Sequence, residues 1–143
     1  MPVNSALKNP PDAIEEKVIT FPEGLIGLED YRTFTLAALP DQELFRVLQS
    51  LDDEFFGLIV TEPFWFAPEY SFELPDTYTA KLGKPEDVQV FVAITLADEP
   101  QDITANLLGP IVINRKLGVG FQVLAAEKEY STRYKICPSG GSK

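Results

Sequence analysis

Carboxylates grouped in pairs and triplets are the side chains of this sequence that most readily suggest chemistry. They are Glu15-Glu16, Asp52-Asp53-Glu54, Asp98-Glu99, and Glu127 with Glu129. Two neighbouring carboxyls serve general acid–base catalysis when an apolar pocket raises the pKa of one of them. These groups lie instead at predicted strand ends and turns, where acidic side chains are mostly solvated. We therefore predict surface charge and no catalytic residue.

Histidine is absent from all 143 residues. Ser-His-Asp and Cys-His relays cannot form within the chain, and the commonest ligand of zinc and non-haem iron is missing. The single cysteine, Cys137, has no partner for an internal disulfide and no histidine to activate its thiol. We predict no metal and no cofactor.

A second group of interest is aromatic. The segment 63–70, PFWFAPEY, carries four aromatic side chains on a predicted loop or irregular strand. Aromatic residues are enriched at the hot spots of protein interfaces. The competing interpretation buries Phe64 and Phe66 at one end of the fold, with Trp65 alternating outward.

The acidic triplet precedes Phe55-Phe56 in a predicted turn. Together with the aromatic segment it would form a surface with an apolar centre and an acidic rim, as expected for the interface with a basic protein. The sequence leaves open whether the two segments meet. The predicted partner-binding residues are Asp52, Asp53, Glu54, Phe64, Trp65, Phe66 and Tyr70.

Short runs rich in Val, Ile, Phe and Thr, separated by turn residues, indicate the elements that position these groups. The predicted strands cover residues 13–21, 44–50, 56–61, 88–97, 119–125 and 130–136. Short helices are predicted at residues 28–33 and 75–82, the second ending before Gly83. We predict an all-β protein with a small antiparallel barrel-like fold and one or two short helices.

The segment 104–114, TANLLGPIVIN, combines a strand pattern with polar and strand-breaking residues. Alternation places Ala105, Leu107, Gly109, Ile111 and Ile113 on one face, which we assign to the core. Gly109-Pro110 predicts a bulge or bend. We interpret Asn106, Gly109, Pro110 and Asn114 as a structural motif, with the Asn106 amide tying a loop or neighbouring backbone.

Length and composition bound the organisation of the chain. We predict one domain at residues 13–137, a mobile N-terminal arm at residues 1–12 and a flexible tail at residues 138–143. Twelve basic against twenty-two acidic residues give a net charge of −10, which disfavours direct nucleic-acid binding and favours a basic protein partner. No run approaches the ~18 apolar residues of a membrane span, and no signal-peptide pattern opens the chain, so we expect a cytoplasmic protein.

Five stretches in order carry a family resemblance. They are FPEGLIGLEDY (21–31), LQS (48–50) with FGLIVTEP (56–63), TANLLGPIVIN (104–114), QVL (122–124) and YSTR (130–133). With them the chain resembles the FliW family of bacterial flagellar assembly factors from about residue 14 to residue 133. It departs from the usual pattern in Gly109, where many relatives carry alanine, in the proline-rich arm, and in the ten residues after Arg133.

The resemblance implies a cytosolic, non-enzymatic binding protein with a barrel-like fold. Its implied partners are flagellin and CsrA, an RNA-binding translational repressor that FliW antagonises, with no direct nucleic-acid or membrane contact. The matching motifs look structural, so they transfer no partner-contacting residue. Two alternatives stay open: a small-ligand-binding or hydrolytic β-barrel using buried carboxylates near Thr104 and Asn106, and a flagellin chaperone without a regulatory role.

Overall fold

The computed structural model describes residues 18–39, 42–125 and 129–136. The predicted arm and tail, and also Glu15, Glu16, Glu127 and Cys137, lie outside these residues. The strands are β1 (Val18–Thr20), β2 (Thr33–Leu39), β3 (Gln42–Ser50), β4 (Gly57–Thr61), β5 (Val88–Thr95), β6 (Thr104–Ala105), β7 (Ile111–Asn114), β8 (Val119–Gln122) and β9 (Tyr134–Lys135). One helix, α1 (Asp76–Leu82), lies between β4 and β5, and 3-10 turns occupy Pro63–Trp65, Pro85–Asp87 and Pro100–Asp102.

Seven of these strands close into a barrel. Their order is β4-β3-β2-β1-β8-β7-β5, and β5 pairs back onto β4. The described pairings are antiparallel except for β1 with β8, which run parallel at the pair Thr20 and Val119. Strands β6 and β9 lie outside this circuit. Strand β6 pairs with the last two residues of β5, and β9 pairs with β6. The predicted all-β, barrel-like fold is therefore confirmed.

Side-chain alternation fills the barrel interior. Ile19 and Phe21, two positions apart, are both fully buried, whereas Val18, the first residue of β1, is half exposed. Inside the barrel they pack in a cluster with apolar residues from the other strands, including Phe34, Leu36, Leu48, Val60, Phe91, Ile111 and Ile113. Fully burying one such side chain stabilises the fold by about 1.5–3 kcal/mol. The interior is therefore a packed core.

Apolar residues on the outer face of β5 are also covered. Val88 and Val90 pack with Val112, Phe121 and Leu82 in a second cluster, which α1 closes from outside. The predicted helix at residues 75–82 is confirmed as α1, and Gly83, with φ of 82°, ends it as predicted. Both faces of β5 are buried because the barrel lies on one side and α1 on the other.

The predicted helix at residues 28–33 is wrong. This segment forms two turns, with Leu28 N–H donating to Leu25 and Tyr31 N–H donating to Leu28, and β2 begins at Thr33. A helix would need the N–H groups of Arg32 and Thr33, but the carboxylate of Asp52 accepts both. A long-range side-chain contact therefore overrides the local pattern.

The segment 104–114 forms two strands rather than one. Between the pairs Ile94–Ala105 and Phe91–Ile111, β5 advances by three residues while its partner advances by six. The extra residues hold Gly109 and Pro110, as expected for a bulge or bend. All five residues assigned to the apolar face are buried, namely Ala105, Leu107, Gly109, Ile111 and Ile113.

Candidate protein-interaction surfaces

The acidic triplet lies in the β3–β4 turn, residues 51–56, and its first member has a structural role. Oδ2 of Asp52 accepts hydrogen bonds from the N–H of Arg32 at 2.8 Å, the N–H of Thr33 at 3.1 Å and Oγ1 of Thr33 at 3.2 Å. These bonds lower the pKa of Asp52, the two backbone donors most strongly, because they favour the ionised carboxylate. Asp52 thus joins the β3–β4 turn to the start of β2.

Asp53 ties the same turn to the preceding loop. Its Oδ2 accepts a hydrogen bond from the Tyr31 hydroxyl at 2.9 Å, and this bond, followed by the charge of Asp53, raises the pKa of Tyr31. The Tyr31 ring also packs on Phe56, with ring centroids 5.3 Å apart. Glu54 is exposed, and within the described residues its carboxylate accepts no hydrogen bond. Within the described residues, Asp52 and Asp53 hold the turn through their carboxylates, whereas Glu54 has no such internal role.

Acid is expected to weaken the fold through Asp52. Its pKa in the folded protein lies below the ordinary value of 3.8, so its contribution to stability is present above that value and lost as the pH falls through the folded pKa. In urea titrations from about pH 5 downward, the free energy of unfolding of Asp52→Asn should fall less steeply than that of the wild type. Glu54→Gln is the matched control and should keep the wild-type slope; equal slopes for wild type and Asp52→Asn would contradict this role.

The aromatic segment folds into a 3-10 turn whose rings pack on neighbouring elements. Trp65 is 40% exposed, and its indole N–H donates to Oγ1 of Thr61 at 2.9 Å. Its ring contacts Phe45 on one side and Phe66 on the other, and Phe66 stacks on Tyr134 at 5.8 Å. Phe64 and Phe66 are partly buried against Val92 and Ile94, on the outer face of β5. Trp65 therefore provides the accessible edge of this segment.

Tyr70 lies in the core. It is only 6% exposed, its hydroxyl donates to the carbonyl of Leu107, and its ring packs on Tyr130 at 4.7 Å. The ring therefore presents little surface to a partner from outside, although it lines part of the cavity described below. Tyr70 is thus the most deeply buried of the four aromatic residues predicted to contact a partner, and it stabilises the fold.

The acidic triplet and the aromatic segment do not form one surface. The β3–β4 turn precedes β4, whereas the aromatic segment follows it. Five residues of β4 separate them by about 17 Å along the strand. They lie at opposite ends of the barrel, and each must be considered as a separate candidate surface.

Local hydrogen bonds hold the Asn106, Gly109 and Pro110 part of the predicted structural motif in place. Oδ1 of Asn106 accepts from the N–H of Leu108 at 3.0 Å and of Gly109 at 3.1 Å, which forms the predicted tie to nearby backbone. Pro110 is buried, and its carbonyl accepts from Val123. Gln122 donates to the carbonyl of Gly109 and accepts from the N–H of Ile26, so it also holds the loop after β1 across this barrel end.

Asn114 has a stronger structural role than its position at a strand end suggests. It is 1% exposed; Nδ2 donates to the carbonyl of Leu82 at 2.7 Å, and Oδ1 accepts from the N–H groups of Lys116 and Leu117. The amide therefore joins the C-terminal end of α1 to the β7–β8 hairpin. Asn114 is therefore bonded through both amide atoms and is not accessible to a ligand.

A polar cluster at the other barrel end was not predicted. Arg115 Nε donates to Oε1 of Gln89 at 2.9 Å, and Gln89 Nε2 lies 3.5 Å from Oε2 of Glu62. Burial, then the neighbouring charge of Arg46, lowers the pKa of Arg115, while Glu62 opposes the shift. Arg46 pairs with Val60, and Gln89 pairs with Ile113. Predicting this cluster would have required the register of these strand pairs, which the sequence does not show. The cluster closes the barrel end that faces away from the β3–β4 turn.

A cavity of about 670 Å³ lies between α1, the segment 68–74 and the outer face of β5 and β7. Its lining is mostly apolar, including Phe72, Leu74 and Val112, and contains no aspartate or glutamate. Thr104 and Asn106 do not line it. This cavity suits an apolar group rather than hydrolysis by paired carboxylates.

In the described part of the chain, no three histidine, cysteine or acidic side chains are grouped so that they could hold a metal ion. No helix among the same residues has the length and hydropathy needed to cross a membrane.

These features define a small closed β-barrel protein with candidate interaction surfaces in its turns and loops. A sequence model described as "FliW protein" matches residues 4–136. The chain belongs to the FliW family.

Individual relatives share both sequence and fold with this chain. It is 36% identical over 129 residues to the flagellar assembly factor FliW of Desulfitobacterium hafniense (strain DSM 10664 / DCB-2), which covers 89% of this chain and 85% of that protein. It is 37% identical over 124 residues to that of Clostridium botulinum (strain Alaska E43 / Type E3), with 85% and 88% covered. A crystal structure of the flagellar assembly factor FliW superposes with a TM-score of 0.80 at 30% identity, covering 93% of this chain and 92% of the other.

Proposed function

We propose that this chain is a cytoplasmic, non-enzymatic regulator of flagellar assembly that binds flagellin and also binds and antagonises the translational repressor CsrA. The observation that carries the proposal is membership of the FliW family across nearly the whole chain. Relatives named flagellar assembly factors cover most of its length. Flagellin and CsrA are the partners that the resemblance to this family implies.

The placement of polar groups supports binding rather than catalysis. The buried polar residues of the described chain are Thr35, Ser50, Thr61 and Asn114, and none is a carboxylate. Asp52 is ionised more readily than usual, which is opposite to the shift of a general acid. The alternative of a hydrolytic barrel with buried carboxylates therefore finds no support in the described residues.

Charge supports a basic partner. The net charge of −10 attracts a cationic surface and accelerates its encounter with this chain. Bound beside an RNA-binding protein, the same charge would oppose the approach of RNA phosphates. An acidic binder thus weakens RNA binding by CsrA without occupying the RNA site.

Competition between the two partners would make this chain a switch. If flagellin and CsrA exclude each other, free flagellin at ten times its dissociation constant raises the apparent Kd for CsrA about tenfold. Export of flagellin then releases this chain to bind CsrA. A modest difference in affinity is sufficient for such a response.

The test is a calorimetric titration of the full chain with CsrA, repeated with flagellin present at ten times its own Kd. We expect the apparent Kd for CsrA to rise about tenfold in the second titration. Both partners should come from the same organism as the chain, because interface residues differ between species. A second readout uses a labelled RNA with the leader sequence of the flagellin messenger RNA. Adding this chain should release that RNA from CsrA.

The outcomes separate the candidate functions. Binding of flagellin without binding of CsrA would favour a chaperone that has no regulatory role. Binding of both partners with an unchanged Kd would retain both interactions and reject competition. Failure to bind either partner would overturn the proposal.

A further inference from the structure

Phe55 is the most exposed large apolar side chain of the described residues. It is 91% exposed, at the tip of the β3–β4 turn. Leu51, in the same turn, is half exposed. Turns normally use glycine, proline, asparagine, aspartate or serine at such positions, because these residues favour turn conformations and tolerate water. A phenylalanine here contributes almost no burial to the fold.

Hydrogen bonds fix the turn that presents this ring. Oγ of Ser50 accepts from the N–H of Asp52 at 3.0 Å and of Asp53 at 2.9 Å, and Oδ1 of Asp53 accepts from the N–H of Phe55 at 3.0 Å. Gln49 Nε2 donates to the carbonyls of Glu54 and Phe56. Asp52 and Asp53 bind the turn to residues 31–33, as described above. The backbone of Phe55 is therefore held in place, and the ring is presented outward by a preorganised turn.

Other exposed apolar side chains share this end of the barrel. The strand directions place the loop after β1, the end of β5 and the segment after β8 at the end that carries the β3–β4 turn. These elements contribute the exposed residues Ile26, Leu96 and Leu124. Phe55 therefore shares its end of the barrel with other exposed apolar side chains and is the most exposed of them.

We propose that Phe55 is the apolar anchor by which this chain docks onto CsrA. The inference rests on the proposed function and adds to it the residue and the barrel end that make the contact. Because hydrogen bonds already order the backbone of the turn, docking through this ring costs little additional backbone entropy, as expected of an interface hot spot. The neighbouring Glu54 carboxylate and the overall charge of −10 select a partner whose apolar recess is bordered by cations. Among the two proposed partners, an RNA-binding protein has that basic surface.

The test compares Phe55→Ala with Leu117→Ala in titrations of the full chain with CsrA. Leu117 is the matched control because it is 60% exposed and lies in the β7–β8 hairpin, at the opposite barrel end. We expect Phe55→Ala to raise the Kd for CsrA at least tenfold and Leu117→Ala to change it less than twofold. Phe55→Tyr keeps the ring and should bind within threefold of the wild type. Thermal unfolding of all three variants should match the wild type, because neither ring nor leucine supports the core.

Each outcome decides the inference. If the wild type binds CsrA and Phe55→Ala binds it with the same Kd, the assignment of Phe55 is overturned and the proposed function is left intact. No binding of CsrA by the wild type would reject the proposed function and this inference together. Weakened binding of flagellin alone, or loss of self-association in sedimentation experiments, would assign the ring to flagellin or to a second copy of this chain and overturn the choice of CsrA.

Discussion

Replacing Asn114 with alanine should lower the free energy of unfolding by about 3 kcal/mol. The amide is 1% exposed and satisfies three backbone groups, the carbonyl of Leu82 and the N–H groups of Lys116 and Leu117. Its removal leaves a helix-terminal carbonyl without its hydrogen bond inside the protein, where water cannot readily replace the donor. The cost of an unsatisfied buried group exceeds the net gain of an ordinary hydrogen bond.

Urea unfolding at neutral pH measures this loss, with Asn106→Ala as the control. Asn106 also accepts two backbone hydrogen bonds, but it is only partly buried, and its amide connects residues three positions apart or fewer. We expect Asn106→Ala to cost about 1 kcal/mol. Equal losses for the two variants would show that the link between α1 and the β7–β8 hairpin adds nothing.

Gly120→Ala should destabilise the protein by about 2 kcal/mol. A Cβ at this position would lie 2.8 Å from Cζ of Phe21 and 3.2 Å from Cγ1 of Ile113, and both neighbours are fully buried. The Phe21 ring packs against Phe34 at 5.4 Å and has no free space into which it can move. Overpacking a filled interior forces shifts that commonly cost 1–3 kcal/mol.

Gly109→Ala provides the control for this substitution. Its Cβ would also make a short contact, 2.9 Å from Nε2 of Gln122, but that atom ends a flexible side chain. The Nε2 group can move at the cost of its one hydrogen bond, to the carbonyl of Gly109, so we expect a loss of about 1 kcal/mol. Thermal and urea unfolding of both variants test the difference. A larger loss for Gly109→Ala would indicate that the Gln122 bridge, rather than core packing, limits stability.

Alternation along single strands was enough to predict much of the interior. The five apolar residues of the segment 104–114 that were assigned to the core are buried, as their spacing indicates. Period-two alternation reports which side chains share a face, and the core selects the apolar one. It does not report which strands are neighbours. The return pairing of β5 with β4, which closes the barrel, therefore required the structure.

The candidate surfaces were harder to predict because their chemistry depends on contacts distant in sequence. That Asp52 and Asp53 bind a partner stays a prediction; their structural role could not be predicted because their carboxylates accept bonds from residues about twenty positions away. Tyr70 was grouped with the aromatic residues that contact a partner, but its hydroxyl donates a hydrogen bond to the carbonyl of Leu107, which is distant in sequence. Phe55 appeared in the sequence only as part of a Phe-Phe pair. Its exposure follows from the turn geometry that those same aspartates stabilise.

The seam between β1 and β8 has a consequence for the order in which the chain folds. The N–H of Thr20 bonds to the carbonyl of Gly118, so closure joins residues separated by about a hundred positions, a contact of high loop-closure cost. A ribosome adds roughly 5–20 residues per second, so the first strand waits about 5–20 s for its parallel neighbour. Meanwhile the hairpins β2–β3 and β3–β4 can assemble from local contacts. The nascent chain therefore presents an open sheet with an unpaired edge before it becomes a barrel, and closure is the step at which chaperone protection during synthesis should matter most.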